Sequence, residues 1–502
     1  MAEIGTGQLP PSVWTSRTLR EAVQRQLGDH LFIIVSNREP YIHRLEGDEI
    51  VCQVPTGGLT VALDPVLRAC GGLWVAHGVG EADRRVVDEQ DHVQVPPEDP
   101  SYLLRRIWLS TEEEDGYYYG FANQALWPLC HISYTRPVFD LDDWNTYRAV
   151  NRRFADAVLE EIGHRNAFVF IQDYHFALLA NMLRRPNIRI AHFWHIPWPN
   201  PEVFRICPWG DEILTGLLGS DLLGFHIRYH CQNFMETVNR LLEARVDYER
   251  YEVSRGGRTT RIRPFPISVD FDAISSIAAG EDVTAQVDRL RRAHGLRGMY
   301  VALGVDRVDY TKGIPERLRA LDLFLERYPE FLERFVYVQV AAKSRQRLPA
   351  YRAVAEEIDR TVESINRKYR RSGWRPILVL DGDVPQPELQ AWYRLADMCI
   401  VSSLHDGMNL AAKEFVASRV DDDGVLVLSQ FTGAAREFTD VELINPFDPS
   451  ATSEAIHRAA TLPPEEVQRR MRRLRMHLHE QNIFRWAGKI LSALFQFEFH
   501  DG

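Results

Sequence analysis

Met299-Tyr300-Val301-Ala302-Leu303 runs into Gly304-Val305-Asp306-Arg307-Val308-Asp309-Tyr310-Thr311-Lys312-Gly313 and then into Ile314-Pro315-Glu316-Arg317-Leu318. The first five residues have the length and apolar content of a buried parallel strand. Pro315 suits the first turn of a helix. The stretch therefore reads as strand, loop and helix, with Arg307 and Lys312 carried by the loop. In an open α/β sheet ligands collect beyond the carboxyl ends of the strands, and two cations beside a helix N-terminus favour a phosphate or pyrophosphate. Solvated surface charge is the competing reading, because structural ion pairs are common.

The same cadence recurs on both sides. Downstream, short apolar runs at 335–340, 377–380, 398–401 and 425–428 alternate with helix-like segments such as 351–369. Upstream, runs at 31–36, 167–171, 189–194 and 222–226 do the same, and 261–270 closes the first half. Such alternation predicts two doubly wound α/β units. A length of 502 residues also exceeds what one core usually serves. The transition is placed at 275/276, in a weaker stretch rich in small residues. The last segment, from about 463 to 499, reads as helical.

With 45% hydrophobic and 26% charged residues the chain is globular in composition. A net charge of -11 and a pI near 5.9 argue against a general nucleic-acid or anionic-membrane binder, while leaving room for a local cationic pocket. The six cysteines are scattered and form no C-x-x-C pair, which suits reduced thiols better than a disulfide framework or zinc site. The N-terminus lacks a basic and an apolar signal region, and no apolar run approaches the ~20 residues of a membrane span. A cytoplasmic protein is expected, and homo-oligomer formation stays open. Residues 1–28 carry no readable function; a helix begins near Thr18.

Other candidate positions lie where strands end. Asn37-Arg38 follows the first run, and Asp173 and His195 follow two others, where catalytic groups collect. Gly57-Gly58 before a helical pattern lets backbone amides approach a ligand, although a plain turn is the commoner use of such a pair. From Trp74 to Tyr134 the chain is rich in aromatics, which match sugar faces but more often fill cores. Gly120-Phe121-Ala122-Asn123 reads as a loop holding Tyr118 and Trp127 at a pocket. After 398–401 comes Asp406-Gly407-Met408-Asn409-Leu410, with Glu414 about two helical turns beyond Asp406. Carboxylates there suit sugar or ribose diols. Asp381-Gly382-Asp383 reads as a turn, since no other metal ligands accompany it.

Taken together, Asn37-Arg38, Gly57-Gly58-Leu59, Tyr118 with Gly120-Phe121 and Asn123, Leu126-Trp127-Pro128, Asp173-Tyr174-His175, His195-Ile196-Pro197, Gly224-Phe225-His226, Gly304 through Gly313, and Asp406 through Glu414 resemble the trehalose-6-phosphate synthase family, retaining glycosyltransferases of family 20. The match runs in order from about 31 to about 495. The resemblance implies a GT-B architecture: two Rossmann-like domains, 1–275 and 276–482, facing across a cleft, with a C-terminal helix at about 483–502 crossing back to the first. It implies transfer of glucose from a nucleotide sugar, typically UDP-glucose, onto glucose 6-phosphate, with retention and with neither metal nor cofactor. Arg307 and Lys312 would hold the donor pyrophosphate and Glu414 the ribose. Asp406, Gly407 and the amides near Met408, Asn409 and Leu410 would hold the donor sugar and phosphates, and Gly58 would let its loop close on the donor. Asp173 and His195 would bond sugar hydroxyls near the reacting carbon. Arg38, Tyr118, Trp127 and Arg345 would bind the acceptor and its phosphate. The chain ends soon after this region, so the phosphate is expected to stay on the product.

The first half departs from the family pattern. Glu39-Pro40-Tyr41 follows Arg38 in place of a small apolar residue and Pro-Val, which is closer to glucosylglycerol-phosphate synthases of the same family. Ala76-His77-Gly78 stands where a second tryptophan and a glycine are usual. A glucosylglycerol-phosphate synthase or a related pseudo-glycosyltransferase is the near alternative, and a non-catalytic sugar-phosphate sensor the alternative of another class.

Overall fold

The computed structural model describes residues 13–54, 58–371, 373–382 and 384–499. Two large sheets carry the fold. Across the first, the strands run in the order Arg245–Asp247, Glu252–Arg255, Arg258–Pro264, Leu222–Phe225, Ile188–Phe193, Ala167–Gln172, Leu31–Arg38, Leu73–His77, Tyr102–Ile107 and His92–Val95. The inner strands pair in parallel. Leu73–His77, Ala167–Gln172 and Ile188–Phe193 are buried along their whole lengths, as strands covered by helices on both faces must be. The antiparallel edges are shorter and half exposed, and the periodicity of the sequence did not reveal them. A separate hairpin pairs Ile42–Glu46 with Glu49–Gln53.

The second sheet is wholly parallel: Ile377–Asp381, Phe335–Ala342, Tyr300–Arg307, Met398–Val401, Val425–Ser429 and Glu442–Ile444. Counted from its own first strand, the order is 3-2-1-4-5-6, the doubly wound arrangement. Strand order reverses between Tyr300–Arg307 and Met398–Val401, and a crevice opens at that point. In the first sheet it reverses between Leu31–Arg38 and Ala167–Gln172. Arg307 and Asp406 thus lie near one switch point, and Arg38 and Asp173 near the other.

Helix Phe271–Ala279 spans position 275, and its bonds are with the second unit: Ser275 Oγ donates to Ala417 O at 2.8 Å, and Ala278 O accepts from Arg394 at 2.8 Å. The closing helix Ile483–Leu494 returns to the first unit. Trp486 Nε1 donates to Phe265 O at 3.2 Å, and Asn482 donates to Trp14 O at 2.7 Å. Gly488 leaves no room for a Cβ against the Trp14 ring. Near the N-terminus, helix Ser16–Leu27 is closed by a capping box between Thr15 and Thr18.

One local expectation is corrected. Residues 120–123 are not a loop but the middle of a π-helical segment, Asp115–Leu126, continued by helix Trp127–His131. Within it the Asn123 side chain, through Nδ2, donates to Tyr118 O at 2.7 Å. Gly116 and Gly120 have no space for a Cβ against Thr146 and Asp143 of helix Leu141–Ile162, so these glycines serve close helix packing. Trp74 and Tyr117 are core residues.

Candidate active site

The loop after Tyr300–Arg307 is held from below by a buried arginine. Arg317 donates to Asp306 at 2.8 Å, Tyr337 OH at 2.8 Å, Gln339 at 3.0 Å and Ser402 Oγ at 2.8 Å. Gly304 lacks a side chain because Arg317 and Tyr337 occupy that space. Asp309 caps the turn Tyr310–Lys312 by accepting from both the amide and the hydroxyl of Thr311 at 2.9 Å. Gly313 sits at φ +61° with the Ser402 carbonyl where a Cβ would be. With its neighbours so fastened, the Arg307 guanidinium makes no hydrogen bond or close ion pair among the described residues, although its charge and that of Arg345 hold the buried Asp309 carboxyl below its ordinary value against burial. Its guanidinium lies 5.5 Å from the Trp127 ring of the first unit, facing across the gap.

Lys312 does have a partner: its Nζ donates to Asp406 Oδ2 at 2.6 Å. Burial opposes the Asp406 charge, but Lys312 and the donors Ser403 and Asn409 hold the carboxyl well below its ordinary range. Asn409 adopts φ +91° and caps helix Leu410–Ser418 through Ala412 N at 3.0 Å. Met408 is buried, and its amide points to Asp406 Oδ1 at 3.4 Å. Leu410 opens the helix, and Glu414 accepts from Tyr393 OH at 3.0 Å while burial pushes its carboxyl upward. Gly407 abuts the His195 carbonyl of the first unit, where a Cβ cannot fit. Gly58 opens helix Gly58–Cys70; Gly57 lies outside the described residues.

Facing this surface is a cationic and aromatic cluster. Arg345, at φ +51°, reaches from the second unit into the first. It donates to Tyr351 OH at 2.6 Å, Tyr174 OH at 3.2 Å and Tyr118 OH at 3.4 Å, and lies 4.4 Å from the Trp127 ring. Arg38 donates to the same Tyr118 hydroxyl at 3.4 Å. Burial resists ionisation of Tyr118, yet the two guanidiniums outweigh it and bring the phenol down to about 7. The Trp127 indole N–H is buried without a partner among the described residues. Arg345 also pairs with the buried Asp309 carboxylate at 3.8 Å, so where Arg38, Tyr118, Trp127 and Arg345 meet, Arg38 is the cation without a carboxylate partner among the described residues.

Between the two halves stand Asp173 and His195. Asp173 is strained at φ +72°, and its Oδ1 accepts from Tyr174 N at 2.9 Å and His195 N at 3.1 Å. Burial raises its carboxyl to about 7, against the pull of those amides and of Arg345 and Arg307. His195 Nε2 meets Gln172 Oε1 at 2.8 Å, so Nε2 carries the proton and Nδ1 is left as an acceptor. Burial and the neighbouring histidines hold His195 far below its ordinary value, as a neutral ring.

Sequence reasoning missed several participants. Tyr174 and His175 belong to the Asp173-Tyr174-His175 match but were given no role; His175 stacks on Tyr118 with centroids 5.7 Å apart, and Tyr174 bonds Arg345. Tyr351 left no signal beyond a place in a helix. The geometry supplies unpaired positive charge for an anion on the second unit, a second cationic pocket opposite, and a buried carboxylate and neutral imidazole between them.

The family model described as glycosyltransferase family 20 matches residues 30–496. Trehalose-6-phosphate synthase of Mycobacterium avium is 39% identical over 486 residues, 95% of this chain and 97% of its own. Its counterpart from Mycolicibacterium smegmatis is 40% identical over 474 residues, 92% of each chain. Among solved structures, one from E. coli with bound UDP-2-fluoro glucose aligns with a TM-score of 0.83 at 31% identity, covering 93% of this chain and 100% of its own. A UDP-forming alpha,alpha-trehalose-phosphate synthase from Burkholderia xenovorans in complex with glucose-6-phosphate gives 0.82 at 30% identity, covering 92% and 99%.

Proposed function

Since this chain belongs to glycosyltransferase family 20 and has the GT-B fold, it is a glycosyltransferase, and we propose that it moves glucose from UDP-glucose onto glucose 6-phosphate to give trehalose 6-phosphate. The observation that carries this reading is the pairing of unpartnered Arg307 on one side of the gap with the Arg38, Tyr118 and Arg345 cluster on the other. A nucleoside diphosphate leaving the sugar develops negative charge, and Arg307 and Lys312 are cations fixed where that charge forms. The opposite cluster suits the phosphate of the acceptor, which fixes which hydroxyl meets the anomeric carbon.

Retention follows if the acceptor attacks from the face the nucleotide leaves, with the departing phosphate oxygen taking the hydroxyl proton. Double displacement would instead need a carboxylate nucleophile at the anomeric carbon. Asp173, whose Oδ1 is occupied by two backbone amides, fits better as a hydrogen-bond acceptor for sugar hydroxyls, alongside the free Nδ1 of His195. On approach of the donor, Lys312 exchanges Asp406 for the pyrophosphate, and Asp406 turns to a sugar hydroxyl. Neither metal nor cofactor is needed in this scheme, and activity should persist in a chelator. Phosphorylated substrates and six free thiols suit a cytoplasmic location.

A matrix of nucleotide-glucose donors against glucose 6-phosphate and glycerol 3-phosphate, read by product mass, tests the proposal. A disaccharide phosphate from UDP-glucose and glucose 6-phosphate supports it. Product only with glycerol 3-phosphate moves the chain to the glucosylglycerol-phosphate reaction, and binding without nucleotide release makes it a sensor.

A further inference from the structure

In the run from Arg38 to Tyr41 only Arg38 is exposed; Glu39, Pro40 and Tyr41 are buried. Glu39 has no exposed side-chain surface, although it stands where the family pattern has a small apolar residue. One of its oxygens accepts from Arg106 Nε at 2.6 Å and the other from Val79 N at 2.9 Å. Arg106, equally buried, also pairs with Asp83 at 3.0 Å and donates to Tyr41 O at 2.9 Å. Asp83 in turn accepts from His43 N at 2.8 Å, at the root of the hairpin Ile42–Glu46 and Glu49–Gln53.

The strand ends at Arg38, after a break in register between Ser36 and Arg38, so regular alternation does not set the direction of this side chain. Glu39, held inward by Arg106 and Val79, instead fastens the backbone that carries the exposed Arg38. On the other flank Ser36 Oγ donates to Arg38 O at 2.6 Å and accepts from Trp74 Nε1 at 2.7 Å. Among the described residues the guanidinium of Arg38 itself has one long bond, at 3.4 Å to Tyr118. Its direction comes from the backbone on either side, not from contacts of its own.

We propose that Glu39, Asp83 and Arg106 form a buried clamp that positions Arg38 for the acceptor phosphate and fixes the root of the adjoining hairpin. The proposal rests on the reading of Arg38 as a phosphate ligand. Two carboxylates share one guanidinium in this clamp. Burial and Asp83 raise the Glu39 carboxyl to about 8, and His43 Nδ1 completes the cluster at 2.9 Å from Arg106 and 3.2 Å from Asp83. A buried ionic group of this kind adds little stability over an apolar residue of similar volume. What it supplies is direction, through bonds of fixed geometry at both carboxylates.

Glu39→Gln and Asp83→Asn test the clamp without removing bulk. Each should raise the KM for glucose 6-phosphate roughly tenfold while the KM for UDP-glucose and kcat at saturating acceptor change less than about twofold. The double variant Arg38→Ala with Glu39→Gln should be no worse than Arg38→Ala alone, because the clamp acts through Arg38. If Arg38→Ala leaves the acceptor KM unchanged, the reading of Arg38 itself is lost. If Arg38→Ala raises it but the clamp variants do not, or their effects simply add, the clamp is refuted. Equal weakening of donor and acceptor, or failure of both variants to fold, reduces Glu39 to a structural role and refutes it as well.

Discussion

Gly407 of the second unit lies so close against the carbonyl of His195 in the first that a single methyl group cannot be placed between them. The two units therefore touch at the point where the Asp406 loop meets Asp173 and His195. A glycine for which the family resemblance implies a place at the donor thus has a packing reason at the junction of the lobes.

Gly407→Ala should hold the lobes apart there. A displacement near 1 Å at a reacting centre commonly costs on the order of 10²-fold in rate. We expect kcat/KM to fall by that order while the melting temperature moves little, because the variant removes no side chain from the hydrophobic cluster that joins the two lobes through the closing helix. Wild-type kinetics in the variant would mean that the contact is dispensable.

Two arginines near one strand end should behave in opposite ways. Arg307→Met removes a group without a protein hydrogen bond among the described residues, so stability should fall far less than in Arg317→Met, by the loss of its charge beside buried Asp309, while kcat drops on the order of 10²-fold or more and the acceptor KM stays nearly constant. Arg317→Met strands Asp306, Tyr337 and Gln339 in the core and should cost about 3–5 kcal/mol of unfolding free energy. Urea denaturation beside steady-state kinetics distinguishes the pair; equal loss of turnover and acceptor binding in Arg307→Met would count against its leaving-group role.

Tyr118 supplies a pH test. Its phenol is lowered to about 7 by Arg38 and Arg345, which prevail over burial. A bound phosphate dianion offsets those cations and returns the phenol toward its ordinary ~10. The bound state then holds more protons, so acceptor affinity should fall as pH rises from about 7 toward 10. Calorimetry at pH 8 in buffers of different ionisation enthalpy should detect proton uptake on binding glucose 6-phosphate, absent in Tyr118→Phe.

Burial of the Asp173 carboxyl should make stability depend on pH. Its folded carboxyl is raised to about 7, chiefly by burial, above an ordinary value of 3.8. The folded state therefore holds the proton longer than the unfolded chain, and stability declines as pH rises from about 4 to about 7. Asp173→Asn should flatten that decline, be more stable than the parent at pH 8 by a few kcal/mol, and lose most turnover. A variant less stable than the parent at pH 8 would show that the carboxylate is well paired in place.

Read as a linear text, the chain was most informative where burial is complete. The run before Gly304 and those at 167–171 and 335–340 are strands inside covered parallel sheets, because unbroken apolar residues have no other economical use. The edges at Arg245–Asp247 and His92–Val95 escaped notice because half-exposed residues carry little periodicity. The π-helical turn at Asp115–Leu126 was mistaken for a loop since its glycines look like turn residues until Thr146 and Asp143 of a neighbouring helix are seen against them.

The order of residues alone determined the alternation of strands and helices, the cations beyond Leu303 and the polar groups beyond Ile171 and Trp194, all local consequences of hydrophobic pattern and turn chemistry. Only the tertiary structure decided that Arg345 shares Tyr118 with Arg38, that Lys312 is held by Asp406 while the Arg307 guanidinium has no hydrogen-bond partner among the described residues, and that Glu39 turns inward to Arg106. Those pairings join residues tens to hundreds of positions apart. Charge and burial act through space, and the order of sheet strands, not the order of residues, sets which groups come within a few ångströms.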